Sequence, residues 1–322
     1  MYNHCVYKRV ILHQIFTYNT IYTSMIALIL ATICAALFSI LFKIFKLKSI
    51  DTMPAIIYNY LAAAVLSLVF SYNGSSGFVN PVQTDWFYPA IFTGLIFILG
   101  MMVLSVCTIR VGVAISTVSS RVSMIIPILV NYLFIPGSEK PQWIAIIVIL
   151  FAMSLIVWQK RENSGSERGD KSVLDIIIPL SVFVMFGLSN SFLKLVQHSI
   201  SSNSSLSDTS VNQQLSMVTF VIFISAAVMG GVFIIFNKKS KLAMMLKWKN
   251  ILGGIALGAS NFFCTYLLMV AMKSIKTELL FPLHNIGIVA IGVIAGWGFY
   301  HEKMKPHQIV GFVIAAIAIC FL

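Results

Sequence analysis

The sequence predicts an all-α integral membrane protein with ten transmembrane helices, arranged as two inverted five-helix repeats. The first observation is composition, because 59% of the residues are hydrophobic, only 10% are charged and the mean hydropathy is +0.93. The second is a series of continuous apolar runs, which favours helices over the alternating segments of an outer-membrane barrel. The third is a resemblance between the two halves of the chain.

Short polar breaks separate ten apolar runs, most of them near the roughly 20 residues that a membrane-spanning helix needs. We place them at 25–45, 54–71, 86–109, 111–135, 141–158, 173–197, 213–236, 250–272, 275–299 and 306–322, and the second and the last of them are short. Residues 1–24 precede the first run and lack the apolar core and cleavage site of a signal peptide. Two interpretations of this extension stay open: translation that starts at Met25, or a short amphipathic helix at the membrane interface.

Two pairs of matching segments indicate an internal repeat. The segment AALFSILFK, which ends at Lys43, matches FGLSNSFLK, which ends at Lys194. Glu139 and Glu302 each begin a Glu-Lys pair that is followed by Pro, Gln and a short closing helix. The charged linker 159–172 divides the chain into a first repeat, 25–158, and a second repeat, 173–322. Five spans per repeat make the second copy enter the membrane from the opposite side, as in many secondary transporters.

This layout resembles the EamA-like branch of the drug/metabolite transporter (DMT) superfamily. The resemblance rests on the five-plus-five spans, the lysine that closes the first span of each half, and the Glu before each short last span; it extends from about Met25 to the end. It implies a multi-pass exporter or exchanger of small polar or amphipathic metabolites, such as amino acids, in the cell (inner) membrane. From the inverted repeat we expect alternating access at the repeat interface, and we expect no enzymatic activity, cofactor or metal.

Arg121 lies near the centre of the fourth predicted span, where a charge costs at least about 2.5–3.5 kcal/mol to insert. Small hydroxyl side chains surround it, as expected for a close helix contact or a wet cavity. The equivalent place in the ninth span holds His284 or Asn285. We therefore predict that these residues bind substrate at the repeat interface. The alternative is that Arg121 only holds helices together.

Other polar residues at membrane depth complete the predicted site. As further substrate-binding residues we select Asn59, Tyr60, Asn190, Asn261 and Tyr266, each of which could instead be a helix contact. As coupling or gating residues we select Glu278, Lys43 and Lys194, although lysines near span ends also reach the headgroups by extending their side chains. Pro127 and Pro282 are expected to interrupt the fourth and ninth spans and to free backbone carbonyls.

The net charge of +12 does not indicate nucleic-acid binding, because most of the 22 Lys and Arg residues lie in loops between spans. The five cysteines form no CxxC pair, which argues against a zinc site or a disulfide framework. The expected partners are the lipid bilayer and a small-molecule substrate, and no nucleic acid. A proton or counter-substrate, and a homodimer, are open alternatives.

Two other functions and the orientation stay open. A membrane sensor or scaffold is the second function. An intramembrane hydrolase is the third, because GLSN at 187–190 and GASN at 258–261 imitate a serine motif, with His284 as its base, but lack its final Gly. For orientation, Lys and Arg are concentrated in the loops after odd-numbered spans, which places both termini outside, whereas the family resemblance places them in the cytoplasm.

Overall fold

The structure, a computed structural model, describes residues 2–72, 79–111, 113–138, 140–157, 173–202, 208–236, 245–300 and 306–322. Linker 159–172, Glu139, Glu302 and the side chain of Lys43 lie outside the described part. The helices are α1 Tyr2–Lys48, α2 Thr52–Ser71, α3 Phe87–Arg110, α4 Val113–Val122, α5 Ile125–Phe134, α6 Trp143–Val157, α7 Leu174–Ser201, α8 Asp208–Phe236, α9 Trp248–Ala271, α10 Thr277–Tyr300 and α11 Pro306–Ile319.

The described chain is 87% helical and contains no strand, which confirms the all-α prediction. Eight of its helical segments are long and apolar enough to cross a membrane. Helices are the natural outcome for such runs, because a bilayer offers no partner for backbone N–H and C=O groups and a helix pairs them internally. Many large apolar side chains on these helices are exposed, as expected for a surface that contacts lipid.

Two of the ten predicted runs form shorter helices than expected. Helices α6 and α11 have 15 and 14 residues, about 21–22 Å at 1.5 Å per residue, against about 30 Å of hydrocarbon. The second run, which was expected to be short, forms the 20-residue α2. Helix α1 has 47 residues and passes through Met25 without a break.

The fourth predicted span is divided into α4 and α5 by a turn at Ser123 and Met124. Pro127 explains the division, because it has no N–H to donate to the Ser123 carbonyl and its ring crowds that carbonyl. Pro127 therefore sits in the first turn of α5. Pro282 has the opposite outcome: α10 continues through it. The carbonyl four residues before Pro282, which the proline ring crowds, is that of Glu278. It lies in the first turn of α10, where the helix is least constrained.

The main helix contacts join the first half of the chain to the second. Helix α9 packs against α1 and α2, and α3 packs against α7 and α8. Helix α2 also packs against α8, α6 against α11, α10 against α1, and α4 and α5 against α7. The apolar core is consequently built from both halves together, with α2, α3, α8 and α9 at its centre.

Two glycines allow helices of the two halves to approach closely. A Cβ atom on Gly258 of α9 would lie 2.5 Å from the backbone oxygen of Asn59 in α2. A Cβ atom on Gly94 of α3 would overlap the backbone oxygen of Ile222 in α8. At both crossings only glycine fits, because real Cβ atoms do not approach other heavy atoms so closely.

Candidate functional site

A cavity of about 230 Å³ lies between the two halves of the chain. Helices α1, α2, α3 and α4 line it from the first half, and α7, α9 and α10 from the second. Its polar side chains include Ser120, Arg121, Ser189, Asn190, Asn261, Thr265, His284 and Asn285, together with the hydroxyl-bearing ring of Tyr60. Of the predicted binding residues, the structure thus brings six together here: Arg121, His284, Asn285, Tyr60, Asn190 and Asn261.

Arg121 lies in the last turn of α4, directly before the turn that separates α4 from α5. Its Nη1 donates a hydrogen bond to Oδ1 of Asn285 at 3.3 Å. The Asn285 amide is oriented by its own Nδ2, which donates to the Phe281 carbonyl at 2.9 Å. The Nε atom of Arg121 is buried and has no hydrogen-bond partner. One charged donor of Arg121 is therefore unused.

No carboxylate balances Arg121 among the described cavity-lining residues. Two ion pairs that the structure does show, Arg110 with Asp175 and Lys247 with Asp51, join helix ends and have partly exposed partners. A buried charge without a counter-ion is costly and is seldom kept unless it has a function. An incoming anion would supply the missing charge.

His284 faces α1. Its Nδ1 lies 3.1 Å from Oγ1 of Thr32, and that hydroxyl donates its one proton to the Leu28 carbonyl at 2.7 Å. Nδ1 of His284 is therefore the donor in this pair, because the hydroxyl proton is already used. Nε2 remains for another partner. The ring is thus held in one orientation beside Arg121 by contacts with α1.

Two predicted binding residues lie outside the cavity wall. Asn59 is fully buried behind Asn261, whose Nδ2 donates to Oδ1 of Asn59 at 3.2 Å. Nδ2 of Asn59 has no partner. Tyr266 stacks on Phe262, with ring centroids 5.7 Å apart, in an aromatic cluster against Phe70. Asn59 can act on a ligand only through Asn261, and Tyr266 contributes to packing.

Lys194 and Glu278 also lie away from the cavity wall. Lys194 is only 9% exposed, and its Nζ donates to Oε1 of Gln197 at 3.1 Å and to the Met272 carbonyl at 3.2 Å. This side chain therefore caps the end of α9 and does not extend to the headgroups. Glu278, 7% exposed in the first turn of α10, interacts electrostatically with Lys194. Glu278 is thus associated with Lys194, and Arg121 pairs with Asn285.

The serine motifs lack the geometry of a hydrolase. Ser189 donates to the Phe186 carbonyl at 2.9 Å, and Ser260 donates to the Cys34 carbonyl at 2.6 Å. His284 contacts Thr32, so neither serine is paired with a base as a nucleophile requires. Metal ligation is also unsupported, because the described residues contain no group of three His, Cys, Asp or Glu side chains that could hold an ion.

The apolar part of the wall was missed by sequence reasoning. Phe38, Phe42, Phe97 and Phe186 line the cavity, as does Cys264. An apolar residue in a span has the same appearance in the sequence whether it faces lipid or a cavity. The one available signal was the spacing of Phe38 and Phe42, which places them on one helix face; their rings meet edge to face at 4.9 Å.

No family model matches this chain. An uncharacterized protein of Haemophilus influenzae (strain ATCC 51907 / DSM 11121 / KW20 / Rd) is 24% identical over 302 residues, which cover 91% of this chain and 95% of that protein. A protein of known crystal structure, 9% identical in sequence, superposes with a TM-score of 0.64 over 93% of this chain and 96% of its own. The second similarity shows that the fold, along nearly the full length of both chains, also occurs in a solved structure.

Proposed function

We propose that this protein is a secondary transporter, an exporter or exchanger of small polar or amphipathic metabolites in the cell (inner) membrane, with the EamA-like architecture of ten spans in two inverted repeats. The observation that carries the proposal is Arg121, a half-buried cation that lines a cavity between the two halves and has no carboxylate partner among the described lining residues. Transport by alternating access needs a substrate site at that interface, where both halves contact the same molecule.

The packing of the helices supports an inverted repeat. In the proposed repeat, α1, α2, α3 and α6 correspond to α7, α8, α9 and α11. When each helix is replaced by its counterpart, the contact of α1 with α9 becomes the contact of α7 with α3, which the structure also contains. The contact of α2 with α9 becomes that of α8 with α3, and the contacts of α2 with α8 and α6 with α11 map onto themselves. The close approaches follow the same exchange, since Gly258 on Asn59 corresponds to Gly94 on Ile222.

The cavity wall repeats in the same way. The alignment that matches Lys43 with Lys194 places the lining residues of α1 on those of α7: Ala35, Phe38 and Phe42 on Phe186, Ser189 and Leu193. The alignment that matches Gly94 with Gly258 places lining residues of α3 on lining residues of α9. In order, Phe97, Gly100, Met101 and Leu104 align with Asn261, Cys264, Thr265 and Leu268. The alignment that matches Glu139 with Glu302 places Arg121 on His284. Equivalent lining positions in the two halves support a cavity on the axis of an inverted repeat, which is where a transporter holds its substrate.

The contacts at the two ends of the helix bundle differ, and the difference suits a gated pathway. At the end where α9 finishes, buried Lys194 ties α7 to the Met272 carbonyl. At the other end, partly exposed ion pairs join the halves, Arg110 with Asp175 and Lys247 with Asp51. Partly exposed pairs contribute little stability, so they can separate and re-form as the two halves rock.

The experiment is reconstitution of the purified chain into liposomes, with flux of labelled metabolites measured for the parent chain and for Arg121→Leu. Saturable flux that Arg121→Leu abolishes supports the transporter. Ligand binding without flux, under any imposed proton or counter-substrate gradient, would favour the sensor or scaffold.

A further inference from the structure

We propose that the cavity prefers an amphipathic organic monoanion, one carboxylate attached to an apolar body about the size of an aromatic ring, over a zwitterionic amino acid. The ligand's role as a substrate rests on the function proposed above, whereas its chemical class follows from the charge and the lining of the cavity. Binding measurements test this class independently of flux.

The charge of the described cavity wall favours an anion. Arg121 is the one lysine or arginine among its lining residues, and none of them is acidic. Nη1 is engaged by Asn285, whereas buried Nε has no partner. The guanidinium also carries further N–H groups on Nη1 and Nη2, and an arginine can donate two parallel hydrogen bonds to one carboxylate. A bound monoanion therefore accepts hydrogen bonds from Arg121 and neutralises its charge.

The same wall disfavours an ammonium group. An α-amino acid carries its ammonium two bonds from the carboxylate carbon, so docking the carboxylate on Arg121 brings a second cation close to the guanidinium. No described lining carboxylate can pair with it. Asn190 and Asn261 offer only neutral oxygens, and a charge that loses water without a counter-ion is strongly penalised. A bound zwitterion has no net charge, so it would also not neutralise the positive charge of the cavity.

The rest of the lining selects an apolar body of limited size. Phe38, Phe42, Phe97 and Phe186 contribute ring surface to the wall. An engineered cavity of about 150 Å³ is large enough to bind benzene, so the roughly 230 Å³ available here accommodates one ring and a carboxylate. Acetate has the charge without this body, and we expect it to bind weakly.

The first test is isothermal titration calorimetry on the full-length chain purified in detergent. The three probes, 3-phenylpropanoate, phenylalanine and phenethylamine, share a ring and differ in head-group charge. We expect 3-phenylpropanoate to bind at least about tenfold more tightly than phenylalanine, the equivalent of about 1.4 kcal/mol, and phenethylamine to show no binding. Arg121→Gln should remove this preference, and Lys249→Gln, at an exposed position in the first turn of α9, should retain it. Equal or tighter binding of phenylalanine would overturn the proposal.

The second test needs no change at Arg121. In a chain whose other cysteines, Cys5, Cys34, Cys107 and Cys320, are replaced by alanine, Cys264 reports on the cavity. When each rate is divided by the reagent's rate with free cysteine, the anionic sulfonatoethyl methanethiosulfonate should modify Cys264 faster than the cationic trimethylammonioethyl reagent, and 3-phenylpropanoate should slow the reaction. A higher normalised rate for the cationic reagent would contradict an anion-selective cavity.

The two proposals fail in different ways. Arg121-dependent binding of 3-phenylpropanoate without flux in liposomes would uphold the ligand class and overturn transport. Saturable amino-acid flux that 3-phenylpropanoate neither competes with nor slows would uphold transport and overturn the ligand class.

Discussion

The side chains of Arg121 and Asn285 meet across the two halves of the chain: Nη1 donates to Oδ1 at 3.3 Å, although 164 positions separate the residues in sequence. The Phe281 carbonyl holds the amide that receives this bond. One guanidinium nitrogen is thereby fixed, while Nε stays buried and unpaired. The contact orients Arg121 without neutralising it.

Arg121→Lys and Arg121→Leu should both insert and fold, yet both should lose substrate flux by at least about tenfold. Lysine retains the charge but cannot donate the two parallel hydrogen bonds of a guanidinium, and hydrogen bonds to charged groups contribute about 1.5–3 kcal/mol each. Leucine removes a half-buried cation that has no described carboxylate partner, so we expect the variant to fold. Size-exclusion profiles in detergent check folding, and liposome flux checks function. Near-parental flux in Arg121→Leu would refute the binding role, and loss of folding in both variants would make the residue part of the scaffold.

Asn285→Asp should abolish carboxylate binding while Arg121 is intact. The new carboxylate would lie at hydrogen-bond distance from Nη1, because Asn285 Oδ1 is already there. Arg121 would then be paired internally and would no longer attract an external anion. Calorimetry with 3-phenylpropanoate should show affinity reduced by at least about tenfold, with unchanged or higher thermal stability. Asn285→Ser is the matched control, since it adds no charge and should weaken binding less. Equal effects of the two variants would show that charge at this position is irrelevant.

Gly258→Ala should destabilise the fold by about 1–3 kcal/mol, the usual cost of overpacking. The added Cβ would lie 2.5 Å from the backbone oxygen of Asn59 and 2.8 Å from Cβ of Ala62, so α9 and α2 would have to separate. Thermal unfolding in detergent measures the effect. Gly292→Ala is the matched control, because nothing lies within 4 Å of its added Cβ. In a helix that change should be neutral or stabilising by about 0.5–1 kcal/mol.

Asp51→Asn should lower stability at neutral pH, by an amount that disappears in acid. Hydrogen bonds from Asn250, and then from Lys247, hold the pKa of the Asp51 carboxyl below its ordinary value. A lowered folded pKa means that Asp51 contributes stability above its unfolded pKa, about 3.9, and loses it as the pH falls through the folded value. Melting temperatures of parent and variant should therefore differ at pH about 7 and converge below pH about 4. A constant difference through that range would exclude ionisation of Asp51 as the cause.

Lys249→Cys and Ser274→Cys, in a chain without native cysteines, should be labelled from opposite sides of the membrane. The two positions flank α9 at its start and its end, and both side chains are exposed. Lys and Arg are concentrated in the loops at the Lys249 end, so we expect this end to be cytoplasmic. An impermeant maleimide on intact cells should then label only the Ser274→Cys chain. Labelling of Lys249→Cys alone would instead support the orientation implied by the family resemblance.

Helix positions followed from the sequence because the bilayer imposes a simple rule: long apolar runs must pair their backbone groups internally. All ten runs proved helical, and α2 and α3 begin and end within two residues of their predicted bounds. Arg121 was likewise selected from the sequence, because a charge in such a run is costly. The equivalent place in the ninth run was assigned to His284 or Asn285, which position alone could not separate.

Only the tertiary structure decided which side chains surround the cavity. It assigned the contact with Arg121 to Asn285, placed His284 against Thr32, buried Lys194 at the end of α9 and put Tyr266 into an aromatic cluster. The physical reason is that lipid, a neighbouring helix and a cavity wall are equally apolar. A phenylalanine is equally suited to each of these three environments. The hydropathy of a span therefore does not indicate which of its faces is turned toward the cavity. That rotation is set by close packing between helices far apart in the chain, at contacts such as Gly258 on Asn59.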